Sequence, residues 1–191
     1  MNNIPKLDNR VYQILSQPAP KAAIDLLGMR IATEVKNKYC EIMITETEAY
    51  SNSKRDPISM MNIHTRKMPE SLVKGPPYVS ILKTYGTNLG LYILSGKKGT
   101  TECILLRSGK VLLGKPTMES RRKKKIKSDY INGPGNLTQA LGITLKHDNS
   151  NLFKGPVYLL PRIHVLDQAI AKPRKNPQGG STNLWRYSLS R

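Results

Sequence analysis

From Glu41 to Tyr50 the chain reads Glu-Ile-Met-Ile-Thr-Glu-Thr-Glu-Ala-Tyr, and no other stretch limits the possible folds so tightly. As a strand, its side chains alternate in direction, so Ile42, Ile44, Glu46, Glu48 and Tyr50 are expected on one face and Met43, Thr45, Thr47 and Ala49 on the other. A face that starts apolar thus ends in two carboxylates and an aromatic ring. If Ile42 and Ile44 face the core, Glu48 is carried inward, half-buried, where loss of water raises a carboxylate's pKa unless a cation or donor compensates. Such a group beside a tyrosine can act as a general base. The alternative reading is a strand that simply leaves the core, with Glu46 and Glu48 solvated at its end. Taken alone, the stretch favours this solvated reading, because most strand-end carboxylates are surface groups.

The elements around this strand follow from local pattern. Val11 to Leu27 reads as two helical pieces divided at Pro18-Ala19-Pro20 and stopped by Gly28. Strands are expected at Met29 to Val35 and Tyr39 to Thr47, joined by Lys36-Asn37-Lys38, and again at Val79 to Leu82 and Leu89 to Ser95 with Tyr85-Gly86-Thr87-Asn88 as the tip between them. Tyr85 is either exposed at that tip or folded back over the strands. Glu102 to Arg107 forms a further strand, and an arginine following Ile104-Leu105-Leu106 calls for an acidic partner, with Glu48 as a candidate. A glycine-rich turn, Asn132-Gly133-Pro134-Gly135, opens a helix from about Asn136 to Leu141, whose first N–H groups could hold a phosphate. Strands at Val157 to Leu160 and Ile163 to Leu166, a loop from Lys172 to Thr182 and a last strand from Leu184 to Leu189 complete the chain. Ser51 to Pro77 has no clear period, and long loops of this kind are usually functional or mobile.

Charge narrows the function classes. Lys and Arg total 31 against 13 acidic residues, a net charge of +18 over 191 residues, which predicts attraction to a polyanion. No amphipathic basic helix of useful length and no membrane-spanning run is present, so nucleic acid is preferred over a membrane surface. Arg121-Arg122-Lys123-Lys124-Lys125 is open to three readings: a solvated face, a set of phosphate contacts, or a nuclear localisation signal. The polar start does not resemble a secretory signal, so the expectation is a soluble, intracellular protein. Cys40 and Cys103 lie in apolar runs and are expected as reduced core residues, and His64, His147 and His164 form no ligand pattern, so no metal is expected.

Several separated segments, in order, resemble one family. Leu26-Leu27-Gly28, Ile44 to Tyr50, Tyr85-Gly86, Ile104-Leu105-Leu106-Arg107, Asn132 to Ile143, Pro161-Arg162-Ile163 and the closing Trp185-Arg186-Tyr187 are together similar to the alkyladenine (3-methyladenine) DNA glycosylases. The resemblance implies a single α/β (α+β) domain over residues 1–191, with a curved, mainly antiparallel sheet flanked by helices and a protruding β-hairpin that enters the DNA minor groove. It implies removal of alkylated or deaminated purines from double-stranded DNA by a monofunctional enzyme without metal or cofactor, for which a monomer suffices. The damaged nucleotide is flipped from the stack. By resemblance, Glu48 activates the water, Arg107 positions it, Tyr50 stacks on the flipped base and Tyr85 fills the gap left behind. The chain departs from the family pattern in three places. No histidine stands about nine residues after Tyr50, although His64 lies a few residues later; Leu82 replaces a second stacking aromatic; and Tyr92 replaces an asparagine that helps exclude guanine. The departures favour, as an alternative, a catalytically weak or inactive relative that binds and distorts DNA. A small basic RNA-binding protein of the ribosomal kind is suggested by charge alone.

Overall fold

A computed structural model describes the chain except residues 1–8, 55, 58, 60–68, 85, 98, 164–167, 176–181 and 191. Its organising element is a long antiparallel pair. Strand β2, Lys38–Ser51, runs beside β5, Glu102–Leu113. Both are longer than the sequence pattern predicts: β2 continues past its apolar half to Ser51, and β5 continues past Arg107 to Leu113, beside the start of β2.

The pair recruits different neighbours along its length. Toward its start β2 pairs with β1, Arg30–Val35, and toward its end with β9, Arg186–Leu189. Likewise β5 pairs with β4, Leu89–Ser95, over its first residues and with β6, Tyr130–Asn132, beyond Arg107. Strand β3, Val79–Lys83, extends the sheet beyond β4; β7, Val157–Leu160, closes the other end on β1; and β8, Ala169–Lys172, pairs with β9. Among the described residues every strand pairing is antiparallel and nine strands form one curled sheet, an α/β fold of the expected kind.

Two turns show how local chemistry sets the register. Lys36 and Asn37 both take positive φ, 53° and 56°, so β1 and β2 are joined by a two-residue turn with Val35 opposite Lys38. This is one residue tighter than expected. The β3–β4 hairpin is closed by the Thr84 N–H donating to the Asn88 carbonyl at 2.8 Å. Tyr85, the expected tip residue, lies outside the described residues, as does His64.

Helices α1, Asn9–Leu15, and α2, Ala19–Asp25, break at Pro18 as expected. With α3, Lys115–Arg122, and α4, Pro134–Leu141, they contribute to one apolar core with Ile31, Ile42, Ile44, Ala49, Ile93, Ile104 and Leu106 from the sheet. Polar groups at this boundary are paired: Thr47 Oγ donates to the Ala23 carbonyl at 2.9 Å and Thr33 Oγ to that of Leu141 at 2.8 Å. Cys40 and Cys103 are buried free thiols, as expected. Of the predicted strand at Ile163 to Leu166, Ile163 is outside any strand and the rest lies outside the described residues; β8, partly within the expected loop, is a strand the pattern did not predict. Its side chains are mostly exposed, so no apolar alternation marks it. Among the described residues, no helix is long and apolar enough to cross a membrane.

Candidate active site

The site exists because β2 changes face halfway along. Ile44 lies opposite Gly109, Glu46 opposite Ser108, and Thr47 opposite Leu106, so Thr45 is an extra residue on β2 and Arg107 an extra residue on β5. Gly109 permits the close approach, since a Cβ there would meet Ile42 Cδ1 at 2.5 Å and the Met43 carbonyl at 3.1 Å. Before the irregularity, Ile42 and Ile44 face the helical core; after it, Thr47 and Ala49 do. The expected common face of Ile42, Ile44, Glu46, Glu48 and Tyr50 is therefore corrected. Strict alternation would have driven both carboxylates into the apolar core. The bulge sends them to the opposite side of the sheet.

On that side Glu48 is 0% exposed, not half-buried. Its carboxylate is held by three donors from three parts of the chain. The Lys175 backbone N–H donates to Oε1 at 2.8 Å, while the Tyr50 hydroxyl and Arg107 Nη1 donate to Oε2 at 2.9 and 3.0 Å. Arg107 is partly buried and has the acidic partner the sequence called for, and it spans both acids: its Nε lies 3.4 Å from Glu46 Oε1. Ser108 Oγ donates to Glu46 Oε2 at 3.1 Å, and Arg186 Nη1 lies 3.7 Å from Oε1. A cavity of about 550 Å³ opens beside these groups, lined by Glu46, Ser108, Tyr130, Lys172, Lys175 and Arg186 among others.

Tyr50 joins Glu48 to a second, smaller apolar cluster of Leu72, Tyr92, Leu94, Cys103 and Leu105, against which Tyr50, Tyr78 and Leu82 pack. The Tyr50 and Tyr92 rings meet edge to face, with centroids 6.4 Å apart and planes at 66°. Two of the positions where the chain departs from the family pattern, Leu82 and Tyr92, thus come together beside Tyr50. Burial, followed by the Glu48 charge, pushes the Tyr50 phenol far above its usual range, so it is a neutral hydrogen-bond donor.

Arg174 is the residue that sequence reasoning missed. It lies between two loop-like residues in a Pro- and Lys-rich stretch, with no periodicity to mark it. Nevertheless its guanidinium is buried, donating to the Ala49 carbonyl at 2.8 Å and forming a bidentate pair with Asp56, Nη1 to Oδ2 at 2.9 Å and Nη2 to Oδ1. Asp56 Oδ2 also accepts the Ser51 N–H at 2.9 Å. The guanidinium carbon stands 4.5 Å from the Tyr50 ring centroid and 5.6 Å from that of Trp185.

The cationic run is a different matter. Arg121 donates to the Val35 and Ala140 carbonyls at 3.1 and 3.3 Å and contacts Cys40 Sγ at 3.4 Å. Gly142, with φ +72°, leaves room for it, since a Cβ would approach the guanidinium to 2.8 Å. These Arg121 donors are used inside the fold. Lys123, Lys124 and Lys125 are exposed, with Lys125 Nζ 2.9 Å from Glu119. The run sits near the Val35 end of the long pair, and ten residues of β2 separate that end from Glu48, about 33 Å along the strand at roughly 3.3 Å per residue. Among the described residues, no group of three or more His, Cys, Asp or Glu side chains could hold a metal ion.

The chain is similar to known proteins over nearly its whole length. The family model described as methylpurine-DNA glycosylase matches residues 13–191. A protein of Prosthecochloris aestuarii is 30% identical over 185 residues, covering 94% of this chain and 87% of its own. One of Rubrobacter xylanophilus is 30% identical over 165 residues, 86% and 85% of the two chains. Another, of Corynebacterium glutamicum, is 31% identical over 174 residues, 90% and 88%. Each carries the provisional name 3-methyladenine DNA glycosylase.

Proposed function

The chain belongs to the methylpurine-DNA glycosylase family, and we propose that it is a monofunctional, monomeric, single-domain enzyme that flips a damaged purine from double-stranded DNA and hydrolyses its N-glycosidic bond. The observation that carries this reading is the convergence of Tyr50 and Arg107 on the Glu48 carboxylate. In the proposed reaction Glu48 takes a proton from water as that water attacks C1′, and the purine leaves with the bonding electrons. Arg107 orients the carboxylate and supplies a compensating charge in a buried setting. Tyr50 supplies an aromatic surface for the flipped base, and Tyr85, at the hairpin, is the wedge. Lys123 and Lys124 are proposed phosphate contacts, together with Arg122 and Lys125, on DNA remote from the lesion.

Water needs access to an oxygen of Glu48. The carboxylate has room for one further hydrogen bond beyond its present three, and displacement of the Lys175 N–H by an entering nucleotide would free Oε1. The same three donors and zero exposure favour a second reading, in which Glu48 is a structural anchor in a relative that binds and distorts DNA without releasing a base. Single-turnover base release separates them, using short duplexes carrying ethenoadenine, hypoxanthine or 3-methyladenine. Release should fall about 10²–10⁴-fold in Glu48→Gln, the range for a lost general base. Tight, salt-sensitive binding with no release by the folded native protein would overturn the enzymatic reading in favour of the second.

A further inference from the structure

Arg174 contributes a permanent charge to the site, because a guanidinium does not lose its proton in a protein. Its partner Asp56 engages it by the bidentate arrangement, in which both hydrogen bonds lie in the guanidinium plane and the flat faces remain for aromatic rings. The guanidinium carbon is 4.5 Å from the centre of the Tyr50 ring. This is a cation–π contact, in which the negative face of the ring quadrupole is already committed to a cation.

The Tyr50 ring also has little freedom to turn away. Its hydroxyl is bound to Glu48 at 2.9 Å, its edge meets Tyr92, and Arg174 ties down the Ala49 carbonyl immediately before it. A base stacking on Tyr50 must therefore accept the ring with a guanidinium over it. For an uncharged purine this costs little, since dispersion and burial drive the stacking. A purine with a fixed positive charge meets a π-system drained by the first cation and the near field of that cation across one ring. Asp56 cancels the charge of Arg174 at long range but not at the separation of stacked groups.

We propose that Arg174 is a specificity-determining residue that biases base release toward uncharged damaged purines and against purines alkylated to fixed cations. The inference rests on the reading that Glu48 drives hydrolysis while Tyr50 stacks on the flipped base. It narrows that reading from damaged purines in general to a charge class.

The test compares single-turnover release of two neutral bases, hypoxanthine and ethenoadenine, with that of two cationic ones, 7-methylguanine and 3-methyladenine, each divided by its spontaneous loss from the same free duplex. The native protein, Arg174→Lys and two neutral replacements of the pair, Arg174→Gln with Asp56→Asn and Arg174→Met with Asp56→Leu, are measured side by side. The apolar pair guards against misfolding, because well-packed apolar replacement of a buried ion pair is commonly neutral or stabilising. The ratio of neutral to cationic enhancement should fall about fivefold to tenfold in both neutral pairs, whatever common loss the altered packing brings, and should be largely retained with lysine. An unchanged ratio in the neutral pairs would overturn the role of Arg174 while leaving glycosylase chemistry standing. Absence of release from every duplex, native protein included, would overturn both.

Discussion

The two faces of the central sheet are built on different physics. The helical face is an apolar core in which Ile42, Ile44, Ile104 and Leu106 pack against four helices, and its few polar groups are hydroxyls bonded to carbonyls. The opposite face joins a smaller apolar cluster around Tyr92 to buried charge: Arg107 between Glu46 and Glu48, and Arg174 on Asp56. A core of the first kind tolerates small changes of shape and loses stability in proportion to what is removed. One of the second kind is geometrically exacting and responds strongly to removal of a single partner. The fold thus keeps its stability reserve on one face and its chemistry on the other, with the bulge at Thr45 as the crossing point.

The largest expected effect tests the charged face directly. Arg174→Met should destabilise the protein by about 3–5 kcal/mol, because Asp56 is left buried without its cation. Urea unfolding checks this, and the combined Arg174→Met, Asp56→Leu protein should regain most of the loss. If the single variant costs no more than an ordinary surface change, the distinction between the faces fails.

Next in size is the apolar counterpart. Ile44→Ala should cost about 2–5 kcal/mol, with base release by the remaining folded protein nearly unchanged, since Ile44 faces away from Glu48. A selective loss of release at full stability would mean that the bulge does not insulate the two sides.

A smaller effect sharpens the comparison at high pH. The Tyr50 phenol has a folded pKa raised above its unfolded value by burial first and by Glu48 second. Its contribution to stability is therefore complete below the ordinary phenol pKa of about 10 and is lost as pH rises beyond it, when the unfolded chain ionises and the folded one resists. Phenolate absorbance alongside thermal melts should show late Tyr50 ionisation in the native protein, and Tyr50→Phe should reduce the alkaline loss of stability. Smallest of all, neutralising Arg122, Lys123, Lys124 and Lys125 should leave folding almost untouched and lower the salt slope of DNA binding by up to about 0.9 per lost phosphate contact. A slope that does not move would make the run a solvated face.

Glu48 and Arg107 show how far the sequence could reach. Each ends an apolar run, so each is carried into a setting where a charge needs a partner, and their 3.0 Å contact follows from that need. The helix stop at Gly142 was legible for a similar reason, because backbone preference is a property of the residue itself. The cationic run was legible as charge but not as placement. Arg121 reads like its neighbours, and only the carbonyls of Val35 and Ala140, brought to it by the fold, remove it from the surface set.

By itself the sequence determined the alternation of the strands, the break between α1 and α2, the excess of positive charge and the family to which the ordered motifs belong. These depend on neighbouring residues or on composition, and so survive in a linear reading. Only the tertiary structure decided which face Glu48 occupies, because a bulge arises where two paired strands each hold an extra residue and neither strand shows it alone. It alone also decided that Arg174 meets Asp56 across 118 positions and covers the Tyr50 ring. Ion pairing and ring stacking are set by distance in space, and pattern along the chain carries no record of it.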